Sequence, residues 1–87
     1  MKIKQGFVLR QVADATIVVP SGKASLDFNG MITLNETGAF LWGLLETETT
    51  EDAMVEAMLA EYEVEEEVAR AGIERFVAKL NAEGLLE

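Results

Sequence analysis

Two apolar runs rich in β-branched residues open the chain: Phe7-Val8-Leu9-Arg10-Gln11-Val12 and Ala15-Thr16-Ile17-Val18-Val19-Pro20. The short break at Ala13-Asp14 predicts a β-hairpin. Pro20 lacks an N–H, so it closes the second strand or lies on an edge. Ser21-Gly22 reads as a turn, and Asn29-Gly30 as a second one, because both residues of the latter tolerate positive φ. Met31-Ile32-Thr33-Leu34 then forms a short strand that runs directly into a helix. Leu26 and Phe28, ahead of that turn, have no settled partner.

From residue 35 the spacing of apolar positions becomes helical. Asn35 is the expected N-cap of a first helix over about residues 36–46, with Leu41, Leu44 and Leu45 on one face. Gly38 and Gly43 within it each cost roughly 1 kcal/mol relative to alanine, which close packing against a strand would offset. Thr49-Thr50-Glu51-Asp52 fits a capping pattern that opens a second helix at Thr49, over about 50–62. Its apolar stripe is Met54, Val55, Met58, Leu59 and Tyr62. Glu65-Glu66-Glu67 start a third helix over about 65–83, with Lys79 near its end, a charge order that suits the helix dipole. Ala69, Gly72, Ile73, Phe76, Val77 and Leu80 form its apolar arc. Gly84 is a natural stop, after which Leu85 and Leu86 return to the core. The expected fold class is therefore α+β: three strands followed by three helices, in one domain over residues 1–87.

The 87 residues are 49% hydrophobic and 26% charged, as in globular domains. No apolar stretch approaches the roughly 20 residues that cross a bilayer, and no signal peptide is recognisable, so a soluble cytoplasmic protein is expected. The absence of cysteine fits a reducing compartment. The net charge is -9, from 16 acidic and 7 basic side chains, and Ala24 through Ala69 contains no Lys or Arg. Such a surface repels a phosphate backbone, which argues against a nucleic-acid partner.

Catalytic groups are scarce. With neither His nor Cys, the usual general base, thiol nucleophile and zinc ligands are missing, and Ser21 and Ser25 have no triad partner. No phosphate-binding glycine loop occurs. The acidic run Glu61 to Glu67 lacks the ligand spacing of a calcium loop and reads as a solvated helix start. Met54, Met58 and Trp42 read as core. The chain is expected to be no enzyme, with no catalytic residue, cofactor or metal, and to work by holding another polypeptide.

Phe28-Asn29-Gly30-Met31-Ile32-Thr33-Leu34-Asn35-Glu36-Thr37-Gly38-Ala39-Phe40-Leu41-Trp42 resembles the strand-to-helix junction of the PqqD family, named for pyrroloquinoline quinone biosynthesis protein D. Leu34-Asn35-Glu36-Thr37-Gly38 is its most specific piece. Thr49-Thr50-Glu51-Asp52, Glu61-Tyr62-Glu63-Val64, Phe76-Val77-Ala78-Lys79-Leu80 and Gly84-Leu85-Leu86 agree with it. The resemblance implies a winged-helix-like domain of the kind called a RiPP recognition element. Such domains bind the leader of a ribosomally made precursor peptide and present it to a modifying enzyme, often a radical S-adenosylmethionine (SAM) protein. The leader adds as a strand to the third strand, against the third helix, by β-augmentation. Carried onto this chain, the peptide-binding residues are Met31, Ile32, Thr33 and Leu34 on the strand, and Arg70, Ile73, Glu74 and Val77 on one margin of the third helix. Gly72, Lys79 and Val68 lie towards the other margin. Arg70 would meet an acidic leader residue or pair locally with Glu74. Gly72 stands where the family pattern leads one to expect an acid ahead of Ile73, which implies a different leader or a looser helix there.

Two other functions compete. A winged-helix DNA binder needs a basic recognition helix, whereas residues 50–62 carry no cation. A structural module that forms homodimers through the same strand edge would not respond to peptide. Neither the product of the pathway nor the precursor is written in the sequence.

Overall fold

The computed structural model of the chain describes residues 1–20 and 32–87. The turns expected at Ser21-Gly22 and Asn29-Gly30, together with Leu26, Phe28 and Met31, therefore lie outside the described residues. Strands β1 (Phe7–Val12), β2 (Ala15–Pro20) and β3 (Ile32–Leu34) are followed by helices α1 (Glu36–Leu45), α2 (Glu51–Glu61) and α3 (Glu66–Ala82). This is the expected α+β order. The chain divides into two compact units, Lys4–Phe40 and Met1–Ile3 with Leu41–Glu87.

In the first unit the three strands form one antiparallel sheet in the order β1-β2-β3. Val12 pairs with Ala15, so Ala13 and Asp14 alone make the hairpin turn, with Ala13 at φ 55. That left-handed conformation is unusual for a residue with a Cβ and is normally met by glycine at such turns. Side chains alternate between the faces of a sheet. Val18, Ile32 and Leu34 are buried on one face, while Thr33 is exposed on the other. The β3 chain passes straight into α1 through Asn35, whose Oδ1 accepts the Gly38 N–H at 2.7 Å, while its carbonyl accepts the Ala39 N–H. The side-chain bond satisfies one orphan donor of the helix start, and the carbonyl takes the first intrahelical bond, as the sequence predicts for an N-cap.

The second unit holds most of the buried apolar residues. Leu41, Trp42, Leu45, Met54, Val55, Met58, Ala69, Ile73, Leu80 and Leu85 are all buried, and Ile3 with them. Ile3 forms an antiparallel bridge with Leu86 and donates its N–H to the Leu45 carbonyl at 2.9 Å. Gly84, at φ 75, ends α3 in the left-handed conformation. Its N–H donates to Asn81 O at 3.1 Å, and the Leu85 N–H reaches back to Leu80 O at 2.9 Å. These two bonds, with Leu80 and Leu85 both buried, are the features of a Schellman stop.

Three sequence expectations need correction. The cap of α2 is Thr50, whose Oγ1 accepts the Ala53 N–H at 3.1 Å, not Thr49. The Thr49 N–H donates instead to the Met1 carbonyl at 3.0 Å, which holds that residue out of the helix. Leu59 belongs to the exposed side of α2, not to the buried stripe of Met54, Val55 and Met58. Gly43 is exposed and an added Cβ there would meet nothing within 4 Å, so close packing does not explain it.

Candidate functional site

β3 is bonded to β2 through the pairs Thr16 with Leu34, Ile17 with Thr33 and Val18 with Ile32. It stands last in the sheet order, so its other side is an edge among the described residues. An edge strand presents main-chain N–H and C=O groups that can template a further strand. Ile32 and Leu34, each 6% exposed, point into the protein. Their contribution to such an edge is main-chain hydrogen bonding, and Thr33 supplies the exposed side chain. Met31 lies outside the described residues. The sequence pattern that builds the edge is local: a three-residue strand stopped by the Asn35 cap.

The four candidate residues on α3 differ sharply in setting. Ile73 is 0% exposed and Val77 is half-buried, whereas Glu74 is exposed. The Arg70 guanidinium turns to α2: Nη1 donates to Asp52 Oδ1 at 3.0 Å and lies 3.7 Å from Glu51 Oε1. The local pair with Glu74 is thus replaced by a bridge between helices. The hydrogen bond to Asp52 holds the Arg70 pKa above its ordinary value, against some desolvation, with the charges of Asp52, Glu66 and Glu51 adding. Arg70 remains a cation at any physiological pH, and its charge is already matched by two carboxylates.

In the sequence Glu51 and Asp52 stand out only as part of the capping pattern of a helix start. Their second role, as partners of Arg70, left one trace in the sequence: Arg70 is the first cation after a 46-residue stretch without one, Ala24 through Ala69. Gly72 lies within α3, which continues unbroken to Ala82, and open space surrounds the position its Cβ would take. The other margin of α3 carries Val68, 61% exposed, with Arg75 and Lys79 exposed nearby on the wheel.

Among the described residues, no cluster of three or more His, Cys, Asp or Glu side chains could hold a metal. Among the same residues, no buried polar side chain lacks a hydrogen-bond partner. No helix among these residues is long and apolar enough to cross a membrane. What the arrangement offers is surface: a strand edge and partly exposed helix margins.

The fold is similar to that of TbiB1, solved in complex with the TbiA(beta) leader peptide. The two chains are 25% identical, with a TM-score of 0.77 over 100% of this chain and 95% of that one. No curated protein matches the chain significantly. Residues 16–86 match the family model of coenzyme PQQ synthesis protein D, a stretch from β2 through the Leu86 bridge. The chain belongs to the PqqD family.

Proposed function

We propose that this protein is a peptide-binding module that captures the leader segment of a ribosomally synthesised precursor peptide and presents it to a modifying enzyme. The observation that carries this reading is the whole-chain likeness to TbiB1, a protein solved with a leader peptide bound. Family membership over residues 16–86 supports it.

Capture proceeds by strand addition along β3. Each main-chain hydrogen bond contributes only about 0.5–1.5 kcal/mol net, so a three-residue edge needs side-chain contacts as well. Thr33, Glu74 and Val77 are accessible for that purpose. Ile32, Leu34 and Ile73 are buried, so their side chains are not open to a peptide. Arg70 meets an acidic leader residue only by exchanging a carboxylate it already holds. The module acts by binding, without catalysis of its own. The enzyme it serves is of the radical SAM class that often works with such domains.

A backbone NMR titration of labelled protein with the leader peptide encoded nearest to its gene tests this. The expected result is shifts at Ile32–Leu34 and on α3 between Arg70 and Val77. Absence of any shift at high peptide excess refutes leader capture by this pairing.

A further inference from the structure

Charge is sorted along α3. Glu66 and Glu67 lie in its first turn, Arg70 and Glu74 in the middle, and Arg75 and Lys79 further on, with no carboxylate between Glu74 and the C-cap Glu83. The two arginines have opposite surroundings. Arg70 has Glu66, Glu67 and Glu74 three or four residues away, and its guanidinium is already bonded to Asp52 and close to Glu51. The residues three or four away from Arg75 are Ala71, Gly72, Ala78 and Lys79, none of them a carboxylate, and only that spacing brings helix side chains together. Arg75 and Lys79 are exposed, and neither has an ion-pair partner among the described residues. In a chain of net charge -9, α3 therefore keeps two cations available to an outside anion.

Arg75 also opens on the same surface as two of the α3 candidates. With Arg70, Glu74, Ala71, Glu66 and Glu67 it lines an open recess of about 500 Å³. A segment lying there passes carboxylates at the helix start and reaches an uncompensated guanidinium at Arg75. A guanidinium in that state matches a carboxylate through two parallel N–H donors, a geometry Lys79 cannot offer.

We propose that Arg75 is the specificity-determining cation of the peptide site, and that it holds a carboxylate side chain of the leader, with Lys79 one turn on adding attraction. The leader then carries an aspartate or glutamate where it meets Arg75, and no acid where it passes Glu66 and Glu67. This rests on the peptide-capture reading, which supplies the occupant; the charge order of α3 supplies the occupant's chemistry.

The test uses fluorescence anisotropy of the leader peptide encoded nearest to the gene, labelled with fluorescein. A second peptide has every Asp and Glu of that leader changed to Asn or Gln. Both are titrated with wild type, Arg75→Gln, Gly72→Glu and Gly72→Gln. Gly72→Glu sets a competing carboxylate three residues before Arg75, and Gly72→Gln is its uncharged control. An added Cβ at Gly72 meets nothing within 4 Å, and either residue favours the helix more than glycine does, so these two variants keep the fold. Circular dichroism checks Arg75→Gln.

With the native leader, Arg75→Gln and Gly72→Glu should each lose about threefold to tenfold in affinity, and Gly72→Gln should stay within about twofold of wild type. The neutral peptide should bind wild type more weakly by a similar factor and lose nothing further with Arg75→Gln, because both changes remove one interaction. The proposal is overturned if the native leader binds wild type and Arg75→Gln alike, or if the neutral peptide binds wild type as tightly as the native one. Equal losses for Gly72→Glu and Gly72→Gln overturn it too, since contact and not charge would then be at work. So does a leader that binds yet contains no Asp or Glu. A wild-type dimer in sedimentation velocity that Arg75→Gln dissolves, with leader affinity unchanged, overturns it in favour of a contact between copies. In all of these outcomes the capture reading stands. A leader that fails to bind wild type at all sinks the capture reading, and the role of Arg75 with it.

Discussion

The Schellman stop at Gly84 allows a clean prediction, because steric and conformational costs separate there. An added Cβ would meet nothing within 4 Å, so Gly84→Ala creates no clash. What remains is the φ of 75, a left-handed conformation that costs an L-residue about 1–2 kcal/mol. Alanine also restricts the unfolded chain, which returns about 0.4–1 kcal/mol. The net expectation is a loss centred on about 0.8 kcal/mol, or a fall of about 3–6 °C in thermal midpoint for a domain of this size. Gly84→Asn should lose less, since asparagine tolerates the left-handed region. Gly43→Ala is the control: the site is helical, exposed and equally open, so it should gain up to about 1 kcal/mol. Urea unfolding followed by far-ultraviolet circular dichroism measures all three, with an unchanged m-value as the check on two-state behaviour. Gly84→Ala at or above the wild-type midpoint refutes the reasoning. So does an equal loss for Gly84→Asn, which would point to crowding and not to backbone conformation.

Ala13 is the converse case, a side chain at φ 55 in a two-residue hairpin turn. Ala13→Gly should raise the stability by up to about 1 kcal/mol despite the added unfolded-state freedom, as read in the same urea experiment. Arg70→Ala should make a small loss of stability that shrinks as salt rises from 0.01 M to about 1 M, because the bridge to Asp52 and Glu51 is solvent-exposed and screened. A folded-state pKa raised above the ordinary arginine value means this contribution is complete below that value and is lost only as pH climbs through the still higher folded one. Titration of Arg70 itself therefore adds no slope to stability near neutral pH, and a wild-type-minus-variant difference that varies with pH between about 6 and 9 would contradict that.

Much of this protein is decided within a few residues of sequence. The hairpin strands at Phe7–Val12 and Ala15–Pro20, the Asn35 cap and the Gly84 stop rest on backbone sterics and hydrogen bonds that close over two to five positions. The family is legible in the Leu34–Gly38 junction, which lies within the matched residues 16–86. Tertiary structure decided what depends on distant chain. Thr49 loses the cap to Thr50 because its backbone is engaged by Met1. Arg70 finds Asp52, 18 residues away, in preference to Glu74, which the helical repeat sets beside it. Ile73 sits fully buried where a helical wheel shows only the margin of an arc, since the wheel records direction around an axis and not what lies along it. The apolar outer face of the sheet is visible only once register pairs Arg10 with Ile17 and Val8 with Val19, because a strand's alternation names two faces without saying which one the rest of the chain leaves open.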